Sequence, residues 1–166
     1  VLGAKLAGAR TIVAVDPVPL KRELARELGA THAIDPGEED PAEAVRGITG
    51  GRGADYAFEA AGIPALVTAA YDAVRRGGTV VSIGIAPEEA EIALPAPRLP
   101  REEKIVTGSF YGSCRPHTDM PRVLDLYMDG LLDLDRLVSK TYGLDEINEA
   151  FAAMNAGEVA RAVIRP

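Results

Sequence analysis

Asp16 closes the apolar, β-branched run TIVAV at Thr11–Val15 and is followed by Pro17, Pro19 and the start of a helical pattern at Leu20. A carboxylate at the carboxyl end of a buried parallel strand stands where open α/β sheets hold their ligands. There it can accept hydrogen bonds from the two hydroxyls of a ribose and repel a phosphate attached to that sugar. A second use is open to it, as a turn or helix N-cap acid. Gly62 ends the run FEAAG, where glycine lets backbone approach a ligand or makes a tight turn before Pro64. Other reactive side chains are isolated. His32 sits at the start of a short strand, and His117 precedes the helix-capping Asp119 with no second histidine nearby. Cys114 lies beside Arg115 in a loop, and Glu38–Asp40 is a solvated turn.

The 166 residues are enough for one domain with a real core, and 47% apolar and 26% charged residues are ordinary for a globular protein. A net charge of −7 argues against sequence-independent nucleic-acid binding and against adhesion to an anionic membrane. No apolar run approaches the ~20 residues of a membrane span, and no signal peptide is visible. The single cysteine excludes an internal disulfide or a cysteine-cluster metal site. A cytoplasmic protein is the simplest reading. The opening VLGAKLAGA reads as the latter part of a helix, so a fragment of a longer polypeptide is expected.

Around the strand-end acid, strands and helices alternate. Leu20, Leu24 and Leu28 predict a helix stopped by Gly29, and Thr31–Ile34 a second strand. Asp40, Pro41 and Glu43 predict a capped helix carrying Ala44, Val45 and Ile48. Asp55–Ala60 reads as a third strand, then Pro64–Arg76 as a helix with Leu66, Ala69, Ala70 and Ala73 inward and Gly77-Gly78 as its stop. Thr79–Ile85 is a fourth strand, Glu91–Leu94 a short extra one, Pro95–Pro100 a projecting loop and Ile105–Phe110 a fifth strand. Beyond Tyr111 come a helix from Asp119 to Met128, a strand at Leu137–Tyr142, a helix from Asp145 with Ile147, Ala150, Phe151 and Met154 on one face, and a last strand at Ala160–Ile164. The alternation predicts right-handed crossovers, hence α/β architecture with a doubly wound parallel sheet. The rhythm changes after Tyr111, so the expected division is residues 1–110 as a partial dinucleotide-binding Rossmann domain and 111–166 as a C-terminal segment that docks on something other than the sheet. The glycine fingerprint GxGxxG belongs ~20 or more residues before the acid, which puts it and the central strand upstream of Val1. Without that strand, apolar faces and unpaired edges are expected.

Asp16 and Lys21, LGATHAID at 28–35, FEAAG at 58–62, GGTVVSIGI at 77–85, KIVTGSFYG at 104–112 and LDEINEAF…GEVARAVI at 144–164 run in order at consistent intervals. Together they resemble the coenzyme domain and C-terminal segment of the zinc-dependent medium-chain alcohol dehydrogenases, nearest the class III, formaldehyde dehydrogenase-like branch. The resemblance implies NAD as cofactor. Asp16 would hold the adenosine ribose, with Lys21 beside it. Gly62 would let backbone approach the cofactor, and Ile83, Gly84 and Ile85 would line the nicotinamide, with Ser109 and Tyr111 completing its carboxamide site. Arg161 would reach the pyrophosphate, for which a guanidinium fork is suited. Without the resemblance, position favours Lys21 and composition favours Arg161 as plain surface cations, while Ile83 reads as a core residue and Tyr111 as a packed aromatic. The resemblance also implies hydride transfer between nicotinamide and a primary alcohol or thiol–formaldehyde adduct. The zinc and its ligands would lie outside this chain, which alone would be inactive.

A non-catalytic nucleotide-binding or sensing domain is the alternative, since fold does not fix function. A methyltransferase-like domain is a third reading, disfavoured because Asp55–Gly62 lacks a polar, aromatic acceptor motif. The resemblance further implies a homodimer or homotetramer joined through the edge strand 105–110, and a small-molecule substrate with no nucleic acid or membrane as partner.

Overall fold

A computed structural model describes residues 1–166. In chain order the elements are α1 (Leu2–Leu6), β1 (Val13–Val15), α2 (Pro19–Glu27), β2 (His32–Ile34), α3 (Pro41–Ile48), β3 (Ala54–Glu59), α4 (Pro64–Ala73), β4 (Val74–Ser82), α5 (Arg98–Glu102), β5 (Ile105–Gly108), α6 (Pro116–Met128), β6 (Lys140–Gly143), α7 (Ile147–Asn155) and β7 (Ala162–Arg165). All strand pairs are parallel and form three sheets, β1-β2, β3-β4-β5 and β6-β7. No helix is long and apolar enough to cross a membrane. The chain divides into two compact units, Val1–Pro36 with His117–Pro166, and Gly37–Pro116.

In the first unit β1 and β2 pair from Val13↔His32 to Val15↔Ile34. The Thr31 hydroxyl clasps the start of both, accepting from the Ile12 N–H and donating to the Ile12 carbonyl, each at 2.9 Å. His32 Nδ1 lies 2.9 Å from the same hydroxyl, which gives that histidine a structural place. Pro19 opens α2 at a position where its missing N–H costs nothing. Gly29, at φ +111°, ends the helix as the leucine spacing predicts. Helix α6 begins at Pro116, three residues before Asp119, and runs through Pro121. Proline suits the first helical position, so Asp119 lies in the first turn and is not the cap. The following strand, β6, starts at Lys140 because a 3₁₀ turn occupies Asp135–Leu137. Of the predicted inner face of α7 only Ala150 is buried; Phe151 and Met154 are exposed.

In the second unit Asp40 caps α3 by accepting the Glu43 N–H at 2.8 Å. The Glu43 side chain turns instead to Arg46, so only one half of the capping box forms. Strand β4 begins at Val74, which pairs with Ala54 before Thr79 pairs with Tyr56. Arg75–Gly78 therefore bulges out, with Gly77 at φ +66°. The two glycines make this bulge and do not stop a helix at Arg76. The inward face of α4 is set by Val67 and Tyr71, with Ala70 partly buried, whereas Leu66 is exposed. Tyr71 shifts the face because its ring is covered by two cations, Lys104 Nζ at 4.4 Å and the Arg98 guanidinium at 5.1 Å from its centroid. Glu91–Leu94 forms no strand, and within Pro95–Pro100 the short helix α5 starts at Arg98. Beyond the bulge, β4 stays in register with β3 as far as Glu59↔Ser82, and with β5 from Thr79↔Ile105 to Ser82↔Gly108.

Candidate functional site

The carboxyl ends of the parallel strands carry the residues singled out from the sequence. At the β1 tip the Asp16 Oδ1 accepts the Val18 N–H at 2.8 Å, the short local turn open to aspartate before a helix. Its Oδ2 has no protein donor, and the residue is half-buried. Both uses of this acid are thus compatible, one oxygen for each. The turn is braced by Arg22, which donates to the Asp16 carbonyl at 2.7 Å and bridges to Asp35 of the β2 end at 2.8 Å. Arg22 is not evident in the sequence, although THAID placing an acid just after β2 is its available signal. Lys21 is half-buried and has no carboxylate partner. In the same unit Arg161 is exposed, its backbone pinned to Ser139 and its guanidinium without a protein partner.

The tips of β3, β4 and β5 interlock through backbone. The Glu59 carbonyl accepts from Ile83 N–H at 2.7 Å and Gly84 N–H at 3.1 Å, and the Ser82 carbonyl from Ser109 N–H at 2.9 Å. Gly62 has φ +75°, and a Cβ there would lie 2.5 Å from the Ile85 carbonyl oxygen. A Cβ at Gly84 would lie 2.0 Å from the Gly62 nitrogen. Two bare backbones are therefore in contact, and no side chain fits between them. Ile83 lies outside the strand and is exposed, so it is not a core residue, and Ile85 is 80% exposed. Tyr111 is 78% exposed with φ +49°, its ring edge to face with Phe110 at 4.7 Å; it is not a packed aromatic.

Glu59, which carries no local signal inside FEAAG, is the one charged residue buried as a whole, 4% exposed. Its Oε1 accepts from the N–H groups of Ala61 at 2.7 Å, Gly62 at 2.8 Å and Ile63 at 3.4 Å. Its Oε2 is buried without a partner.

At the opposite, amino ends of β3, β4 and β5 lies a cavity of about 480 Å³ lined by Arg46, Arg52, Arg75, Arg76, Arg98 and Lys104. Most of these cations are engaged by the fold. Arg46 donates to the Asp72 carbonyl at 3.0 Å and Lys104 to the Tyr71 carbonyl at 2.7 Å, which satisfies the last turn of α4. Arg98 bridges Asp72 and Glu102, and Arg52 and Arg75 share Asp55. The Arg98 guanidinium and then the Lys104 ammonium hold the Glu102 carboxyl down at about 2. Arg75 and then Arg52 lower that of Asp55 in the same way. Open α/β sheets bind ligands at the other end of their strands, so this cavity is structural.

A chain of this sheet pattern, with glycines opening the strand tips and an acid ending β1, matches one family description. The zinc-binding dehydrogenase model matches residues 1–129. The chain belongs to that family. It is 42% identical, over 99% of its length, to the NDMA-dependent alcohol dehydrogenase of Amycolatopsis methanolica, and covers 45% of that protein. It is 35% identical, over 98% of its length, to the S-(hydroxymethyl)glutathione dehydrogenase of Paracoccus denitrificans, again covering 45% of the relative. A zinc-binding domain protein of the alcohol dehydrogenase type from Burkholderia ambifaria superposes with a TM-score of 0.93 at 38% identity, over 99% of this chain and 44% of that one. The chain thus spans somewhat under half the length of these relatives, and its α/β fold is that of their Rossmann-like coenzyme-binding part.

Each unit by itself carries one feature that suits part of a dinucleotide: in the first, β1 ends in a carboxylate oxygen without a protein donor; in the second, the β3 and β4 tips present bare backbone at Gly62 and Gly84. For zinc the residues do not fit, since no three His, Cys, Asp or Glu side chains converge as a metal would require.

Proposed function

We propose that this chain is the cofactor-binding portion of an NAD-dependent, zinc-dependent alcohol or aldehyde oxidoreductase of the class III, formaldehyde dehydrogenase-like branch. The whole protein passes hydride between the nicotinamide and a primary alcohol or a thiol–formaldehyde adduct. Residues 1–110 bind the cofactor and 111–166 form the return segment. One observation carries the reading of cofactor: the unbonded Asp16 Oδ2 at the β1 tip, which suits a ribose diol and disfavours a 2′-phosphate. Asp16 and Lys21 serve the adenosine. Gly62, Ile83, Gly84 and Ile85, with Ser109 and Tyr111, serve the nicotinamide, and Arg161 the pyrophosphate. The branch is supported by the name of the Paracoccus denitrificans relative.

When bound, the nicotinamide cofactor would supply the hydride acceptor; zinc, whose ligands this chain does not carry, would be held by residues outside it. The chain's own residues bind and orient, so these 166 residues alone turn over no alcohol. The lone cysteine suits a cytoplasmic setting. Strand β5 pairs only with β4 and is exposed throughout, which supports a homodimer or homotetramer built on residues 105–110. Sedimentation of the full-length protein as a dilute monomer would count against that assembly.

Binding of NAD, NADP and S-adenosylmethionine to the full-length protein, with alcohol- and formaldehyde-adduct-dependent NADH formation, tests the reading. NAD binding with turnover is expected. NAD binding with no turnover on any alcohol would favour the sensing domain, and preference for S-adenosylmethionine would overturn both.

A further inference from the structure

The N–H groups of Ala61, Gly62 and Ile63 converge on one point just before α4. Successive amides before a helix make an anion cradle, which elsewhere is filled by a ligand's phosphate. Here the protein fills it with its own carboxylate. Glu59 Oε1 takes all three donors, while its main-chain carbonyl takes Ile83 and Gly84 from the neighbouring tip. One residue therefore clamps both loops whose backbones touch at Gly62 and Gly84. With the amides occupied, this tip offers a ligand bare backbone and the exposed Ile83 and Ile85, a surface for a flat ring and not for a phosphate.

We propose that Glu59 is the positioning residue of the cofactor site. Its carboxylate closes the amide cradle to phosphate, and its two sets of hydrogen bonds hold the β3 and β4 tips in the geometry that receives the nicotinamide end of the dinucleotide. This rests on the NAD reading. The charge matters because hydrogen bonds to a carboxylate are about twice as strong as those to a neutral amide oxygen.

The test uses the full-length enzyme and Glu59→Gln, which keeps the shape and removes the charge. The dissociation constant for NAD rises about tenfold, the effect of losing roughly one charge-assisted hydrogen bond, while kcat at saturating NAD stays within about threefold. Without cofactor, amide exchange at Ala61, Gly62 and Ile63 accelerates while Val80 and Val81 in β4 keep their protection. Glu59→Ala moves the same readouts further; should it fail to fold, Glu59→Gln decides alone. A folded Glu59→Gln enzyme that binds NAD within twofold of the parent overturns the proposal, as does exchange that accelerates equally at Val80. A parent enzyme that binds no NAD removes the cofactor reading and this proposal with it.

Discussion

Two acids end two parallel strands of this chain, and they are used in opposite ways. Asp16, after β1, meets a single backbone N–H, so one of its oxygens has no protein donor. Glu59, ending β3, meets three, all on Oε1, and its unpartnered Oε2 is buried. The difference lies in the residues immediately after each acid. Beyond Asp16, Pro17 and Pro19 remove two amides, and Val18 supplies the one that remains. Beyond Glu59 come Ala61, Gly62 and Ile63, all with N–H groups, and Gly62 at φ +75° turns them toward one point. Two strand-tip acids thus differ in how many donors the next residues aim at them and in whether the second oxygen is buried.

The sharpest way to break this contrast is at the glycines. Gly84→Ala forces a Cβ into the Gly62 backbone and should cost about 3 kcal/mol of stability, with loss of measurable NAD binding, read by urea denaturation and cofactor titration. Glu102→Gln, at the amino ends of the same strands, should cost about 2 kcal/mol by depriving the buried Lys104 ammonium of its ion pair, yet leave the NAD dissociation constant unchanged. Because the folded Glu102 carboxyl sits at about 2, below its ordinary 4.5, its stabilisation is complete above about pH 4.5 and disappears as pH falls towards 2. The acid unfolding midpoint of Glu102→Gln should shift accordingly. Asp16→Ser should change the ratio of kcat/KM for NAD over NADP by about tenfold toward NADP, which is about 1.4 kcal/mol. Unchanged preference would deny Asp16 its role. Thr31→Val, removing the hydroxyl that clasps β1 to β2, should lower stability by about 1 kcal/mol, measured as a fall in Tm.

Much of the fold is legible in the sequence where the signal is local. The proline–aspartate start of α3, the leucine-spaced α2 with its glycine stop and the apolar runs of β1–β3 and β5 come from the pattern, with ends displaced by a few residues. The errors cluster where a distant partner decides. Gly77-Gly78 marks a bulge because Val74 finds Ala54 across the sheet. Tyr71 goes inward because Arg98 and Lys104 cover its ring. Glu59 escapes notice because a glutamate within an apolar run has no local signature of accepting three amides.

The residues alone decided the alternation of elements, the acid at the end of β1 and the small residues that let backbones meet at Gly62 and Gly84, since these depend on side-chain size, chirality and periodicity. Which acid stays free, which cations cap a helix and which face of α4 is buried were decided only when the chain folded, because each depends on hydrogen-bond donors and ring faces supplied from other segments. Local propensity acts within a few residues; desolvation and hydrogen bonding act on whatever the fold brings into contact.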